Sequence, residues 1–202
     1  MIEPFKIFES FADELAQGIT KEMPEGFVMM KQVHGDQIHW LKTKPQTLLQ
    51  GDALITRAQG IPLAIQVADC QGILIYDPKA KTIAAVHSGW RGSAQNILGK
   101  TIKKLIAEDS RPQDLWIGIS PSLGPCCAEF TDPKKELPSS CHPFIKGRKV
   151  DFWGLSFAQA LAAFVPQNQI EIAQKCTRCH PDGYYSHRKG DIERMVVFIG
   201  LK

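Results

Sequence analysis

Residues 73–87 read Ile73-Leu74-Ile75-Tyr76-Asp77-Pro78-Lys79-Ala80-Lys81-Thr82-Ile83-Ala84-Ala85-Val86-His87. Two apolar runs rich in β-branched residues flank Asp-Pro-Lys-Ala-Lys, so the stretch predicts a strand, a tight turn and a second strand. Ser88 to Gly92 then reads as a Gly-rich turn. Residues 94–107 read as a helix with Ile97, Leu98, Ile102, Leu105 and Ile106 on one apolar side. A hairpin followed by an amphipathic helix calls for a sheet with a helix packed on one face. Working outward, strands are expected at 27–33, 53–56, 62–68, 115–119, 169–173 and 195–199, and helices at 5–16 and 155–164. Residues 121–127 read as a loop, and 131–148 as polar and irregular. The expected fold class is α/β (mixed α+β): a single domain over residues 1–202, a mixed sheet flanked by helices, with a metal site at strand ends.

The chain has 202 residues, six Cys and six His, and 24 Lys+Arg against 21 Asp+Glu for a net charge of +3. A chain of this size buries roughly 70% of its unfolded surface and needs no covalent staples. No stretch reaches the ~18 apolar residues of a membrane span. The acidic N-terminal segment, with Glu3, Glu9, Asp13 and Glu14, lacks the apolar core of a secretory signal. A reducing, cytoplasmic setting is expected, in which the Cys are thiols or metal ligands. Basic residues fall in scattered doublets such as Lys103-Lys104 and Arg148-Lys149, so neither nucleic acid nor a membrane is expected as a partner. A monomer or homodimer is expected.

Three apolar runs end in metal-ligating residues: Gln32-Val33-His34-Gly35, Val67-Ala68-Asp69-Cys70 and Ala85-Val86-His87-Ser88-Gly89. Strand ends at one sheet edge can converge although far apart in sequence. Two His and one Cys leave a coordination position open, the pattern of a catalytic zinc site. The plain alternative is a buried thiol beside two hydrogen-bonded histidines. After His87, Gly89 allows close backbone approach, and Arg91 with the neighbouring amides could hold an anion such as phosphate.

Taken in order, several segments carry a family resemblance. They are Gln32-Val33-His34-Gly35, Gly51-Asp52-Ala53-Leu54-Ile55-Thr56, Ala68-Asp69-Cys70, His87-Ser88-Gly89-Trp90-Arg91-Gly92, Gly118 to Cys127, and Tyr185-Ser186-His187-Arg188-Lys189 before Arg194-Met195. Over residues 28–202 the chain resembles the YfiH-like family, also called the polyphenol oxidase or laccase-domain family, whose members act as purine nucleoside phosphorylases with added adenosine deaminase activity. The resemblance implies His34, Cys70 and His87 as metal ligands, with zinc favoured and copper compatible with the donor types. It implies purine nucleosides and phosphate as small-molecule partners. The catalytic candidates are Asp69, Cys70 and Arg91. The substrate-binding candidates are Arg57, Gly89, Arg91, Ser122 and Arg188. The chain departs from the family in four places. No Arg-x-Gly-Gly-x-Ser motif precedes His34, so a shortened N-terminal region is expected, and Gly72 stands where a Pro is usual. His187-Arg188-Lys189 replaces Tyr-Arg-Arg, and Glu193 replaces a Gly.

Other readings stand beside this one: a copper polyphenol oxidase, a hydrolase editing cell-wall precursors, or a metal- or nucleoside-binding remnant without turnover. A multicopper oxidase needs about a dozen ligands, mostly His, against six His in this chain. Cys176-Thr177-Arg178-Cys179-His180 matches a c-type haem attachment pattern, which requires export. An ordinary loop with thiols is the simpler reading of that pair, and packing the simpler reading of Cys126-Cys127. Cys141-His142 is expected to be exposed. His39 lies five residues after His34 and would face away from it on a common strand.

Overall fold

The computed structural model describes residues 6–23, 25–181 and 183–202. The elements in chain order are α1 (Lys6–Glu9), β1 (Leu15–Thr20), β2 (Ile38–Leu41), β3 (Ala53–Thr56), β4 (Leu63–Val67), β5 (Gln71–Asp77) and β6 (Thr82–Ser88). They continue with α2 (Trp90–Ala94), α3 (Ile97–Ile106), β7 (Trp116–Ile119), α4 (Pro133–Glu136), β8 (Ile145–Lys146), β9 (Lys149–Val150), α5 (Phe152–Ala162), β10 (Ile170–Ile172) and β11 (Met195–Leu201). A six-stranded sheet runs β10-β7-β5-β6-β3-β2, and a three-stranded sheet runs β1-β11-β4. Within the large sheet β2–β3 and β10–β7 are parallel and the other pairs antiparallel, so it is mixed, as expected.

The opening hairpin explains the layering. Alternate residues of β5 and β6 point to opposite faces. Leu74, Tyr76, Ile83 and Ala85 meet Leu63, Ile65, Val197 and Ile199 of the small sheet. Ile73, Ile75, Ala84 and Val86 meet Ile97, Leu98, Ile102 and Leu105 of α3. Both faces are covered, so every residue of β5 and β6 is buried. The result is three layers: small sheet, large sheet, helices.

Gly72 of β5 sits close against Val197 of β11, between the two sheets. A Cβ there would stand 2.7 Å from Val197 Cγ2 and 3.2 Å from Ser120 Oγ, and its N–H donates to Ser120 Oγ at 2.9 Å. A proline at this position would lose that bond and collide, so the departure from the family pattern is matched by the packing. Gly72→Ala is expected to destabilise the protein by about 1–3 kcal/mol through overpacking. Chemical denaturation would read this as a lowered midpoint at unchanged slope.

Several expectations are corrected. The 5–16 helix is only the short α1, with residue 5 outside the described residues, and Leu15 begins β1. Pairing with β11, far away in sequence, overrides the local helical spacing of Phe8, Phe11 and Leu15. Residues 27–33 form no strand: a single bridge, Val28 to Leu63, joins them to β4, and Lys31 bridges Gln50, which lies outside the strands. The short strand β2 has no counterpart in the sequence reading. Ser88 to Gly92 is partly helical rather than a plain turn. Cys141 is fully buried, not exposed, in a cluster with Phe130, Leu137, Val150 and Phe152. The polar stretch around it is pinned by α4 and the β8–β9 hairpin.

Candidate metal centre

Sheet register assembles the site. β3 and β6 are antiparallel with Ala53 opposite Val86, which brings Asp52 beside His87. The amide of His87 donates to the Asp52 carbonyl at 2.7 Å. β5 pairs with β6 so that Gln71 faces Ser88 and Gly72 faces His87, placing Cys70 just past the end of β6. His34 arrives from the extended segment in a left-handed conformation, φ 59°, which His tolerates better than most residues. The ligand atoms of His34, Cys70 and His87 all lie within 4.8 Å of one another, and the two imidazoles meet edge to face at 4.7 Å. Only His87 lies on a regular strand end. Cys70 occupies the turn where the chain passes from the small sheet to the large one.

One carboxylate organises this corner. Asp52, fully buried, accepts hydrogen bonds from the amides of His34 (2.9 Å) and Gly35 (2.7 Å). Its Oδ1 also lies 2.7 Å from His87 Nδ1. Nδ1–H therefore donates to Asp52, which leaves Nε2 for the contact with Cys70. Burial works against the Asp52 carboxylate, but the hydrogen bonds from His87 and Gly35 outweigh it and hold its pKa below the usual value. Burial likewise opposes a Cys70 thiolate, yet His34 and His87 bring the thiol down to about 7. Burial opposes charge on His87, and its bonds with Asp52 and Cys70 raise it to about 9. Anions held around a shared proton are the electrostatics that favour a bound cation. Asp52 stood within a quoted motif but carried no assigned role; its spacing ahead of an apolar strand was the only signal.

Gly89 closes the floor. A Cβ there would sit 3.0 Å from both Cys70 Sγ and His34 Cδ2. Gly89→Ala is therefore expected to weaken metal binding by about tenfold or more with little change in Tm, since it displaces ligands at a site that tolerates little misplacement. Competition against a chromophoric chelator would measure this.

The trio opens into a cavity of about 610 Å³, within the range of small-molecule sites. Trp90, Phe130 and Phe152 line it together with Asp69, Arg91, Arg188 and Arg194. Trp90 and Phe130 meet edge to face at 5.9 Å, and the Arg91 guanidinium lies 4.2 Å from the centre of the Trp90 ring. Asp69, with φ 80°, accepts from Thr177 Oγ1 (2.6 Å) and from the Arg188 amide (2.7 Å). It thereby ties the C-terminal loop to the turn that carries Cys70. Arg194, which sequence reasoning left unassigned, joins the cationic rim.

Three substrate-binding candidates are not among the residues lining the cavity: Gly89 backs Cys70 and His34, and Arg57 and Ser122 lie elsewhere. Arg57 follows the opposite end of β3 from Asp52, where its Nε donates to Thr82 Oγ1 at 2.8 Å and its guanidinium lies over Trp40. Ser122 is fully buried, and its Oγ accepts from Trp153 Nε1 at 2.7 Å. His39 is held by the Gln50 carbonyl at 2.6 Å, away from the trio.

The chain is 31% identical over 200 residues to a purine nucleoside phosphorylase, YlmD, of Geobacillus stearothermophilus, covering 88% of this chain and 73% of the relative. A crystal structure of YlmD from Geobacillus stearothermophilus superposes with a TM-score of 0.78 at 30% identity, over 88% of this chain and 74% of that one. A purine nucleoside phosphorylase of Clostridium acetobutylicum is 40% identical over 179 residues, covering 84% of this chain and 75% of the relative. An adenosine deaminase from an unknown prokaryotic organism is 26% identical over 196 residues, covering 88% and 75% respectively. The family model described as multi-copper polyphenol oxidoreductase laccase matches residues 10–202, and the chain belongs to that family.

Proposed function

We propose that this protein is a zinc-dependent purine nucleoside phosphorylase, converting adenosine, inosine or methylthioadenosine and phosphate to free base and ribose 1-phosphate. The observation that carries the reading is a single cavity lined by aromatic faces, cationic side chains and the His34–Cys70–His87 trio. Relatives named for this activity support it.

Trp90, Phe130 and Phe152 offer apolar faces for a purine ring. Arg91, stacked on Trp90, and Arg188 offer guanidinium donors to phosphate. In the reaction a phosphate oxygen forms a bond to C1′ while the glycosidic bond breaks and its electron pair leaves with the purine. Charge on the phosphate and proton exchange with the departing base are the demands on the protein. The guanidinium groups meet the first, and Asp69 beside the trio meets the second. His34, Cys70 and His87 would hold the metal, a soft and borderline donor set that suits zinc. Bound there, zinc would supply Lewis acidity at its remaining coordination position. Deamination of adenosine is a second activity of the same cavity, favoured by the relative named for it. Copper oxidase chemistry is the less favoured reading: among the described residues, one His₂Cys group and one all-Cys group could hold a metal ion.

Zinc-supplied protein is expected to release ribose 1-phosphate from inosine only when phosphate is present, and to form inosine from adenosine without it. Failure of both reactions in protein with a filled trio sinks the reading. Oxygen uptake with a phenol in proportion to bound copper would replace it with the oxidase.

A further inference from the structure

The cysteines outside the trio do not stay apart. Cys126 and Cys127 lie in the loop after β7, and Cys176 and Cys179 in the loop after β10. β7 and β10 are parallel neighbours, so both loops leave the same sheet edge. The four Sγ atoms all lie within 4.8 Å of one another, with Cys126 and Cys179 at 3.5 Å. That is not a disulfide, whose sulfurs sit about 2.05 Å apart, and all four are free thiols. Four sulfurs bound tetrahedrally at ~2.3 Å from zinc define edges of roughly 3.8 Å, which this cluster brackets.

The backbone prepares the cluster. Ser122 and Cys176 form a parallel bridge, closed by Ser122 N–H to the Lys175 carbonyl (3.1 Å) and Thr177 N–H to the Ser122 carbonyl (3.1 Å). The Gly124 amide donates to Cys176 Sγ at 3.3 Å. The amides of Cys179 and Arg178 face Cys176 as well. Amides aimed at sulfur and four thiols crowded together are the setting in which a cation replaces protons.

We propose that Cys126, Cys127, Cys176 and Cys179 bind one structural zinc ion as four thiolates, at a site separate from His34, Cys70 and His87. Four protein sulfurs leave no open position, so the ion serves architecture rather than catalysis. Its place in the fold gives it a task. Thr177, next to Cys176, donates to Asp69, and Asp69 in turn holds the Arg188 amide. The ion would clamp the loop that carries Thr177 against the loop after β7, and so steady the wall of the cavity.

Metal counting and cobalt spectroscopy test this. Protein purified under reduction and saturated with zinc is expected to hold two ions per chain by elemental mass spectrometry. The Cys70→Ala/His87→Ala variant is expected to keep one, and the Cys126→Ser/Cys179→Ser variant to keep the other. In the Cys70→Ala/His87→Ala protein, cobalt(II) is expected to give intense thiolate charge-transfer bands, now arising from this cluster alone. If the Cys126→Ser/Cys179→Ser protein does not fold, that spectrum decides the question unaided. A wild-type chain whose only ion is lost with Cys70 and His87, no thiolate bands in the Cys70→Ala/His87→Ala protein, or a Cys126–Cys179 disulfide forming in place of zinc uptake each overturns the proposal. None of these readouts uses a nucleoside, so they stand or fall separately from the proposed activity.

Discussion

Cys70→Ala is expected to empty the trio and to lower nucleoside turnover by about 10³-fold while leaving the fold intact. The thiol is the sulfur donor of the group, and two imidazoles without it hold zinc far less tightly. Losing about 4 kcal/mol of Lewis-acid stabilisation corresponds to that factor, at 1.36 kcal/mol per tenfold. The stability cost is small by comparison. Cys70 is only partly buried, it lies in a turn between strands, and Asp52 still holds His87 when the sulfur is gone. Elemental analysis, Tm and kcat/KM on one preparation separate these effects. Unchanged turnover in a protein that has lost the trio's ion would remove the metal from the proposed chemistry. Full metal content would remove Cys70 from the ligand set.

Asp52→Ala is expected to act through stability and metal affinity together. It strips the acceptor from the amides of His34 and Gly35 and from the His87 ring in one step. Removing one partner of a buried charged pair costs about 3–5 kcal/mol. For a domain of this size, each kcal/mol lowers Tm by roughly 2–4 °C, so a fall of about 6–20 °C is expected. Metal affinity is expected to drop by about 10–100-fold, as for other groups that orient a ligand His. Asp52→Asn keeps the shape and one acceptor oxygen, but turns an NH₂ group toward donors, so it should recover only part of the loss. Calorimetry with and without zinc reads both terms. A Tm within two degrees of wild type would show that Asp52 does not hold this corner together.

Much of the site was legible because ligand chemistry is carried by residue type. His34, Cys70 and His87 were marked by their positions after apolar runs, before any contact was known. Asp52 was not, because its carboxylate acts on three groups from other parts of the chain, and nothing in its neighbours announces that. Arg57 and Ser122 were misplaced for a related reason. A strand has two ends, and the motif that ends just before Arg57 shows only that it adjoins β3, not which end faces the cavity. Ser122 adjoins the right loop but points into the packed interior against Trp153.

The opening hairpin, the α3 helix and the alternation of β5 and β6 follow from local pattern alone, since period-two and period-3.6 burial is written in consecutive residues. Three things rest on contacts between distant segments. β1 is a strand because β11 offers it a partner, although its first residue, Leu15, continues the helical spacing of Phe8 and Phe11. The trio converges because the β3–β6 and β5–β6 registers bring Asp52, Cys70 and His87 to one edge. The four remaining loop cysteines, which read singly as ordinary thiols, meet because β7 and β10 run side by side in the same direction. Residue types determined what chemistry this chain can carry. Strand register, a property of pairs far apart in sequence, decided which of those residues meet.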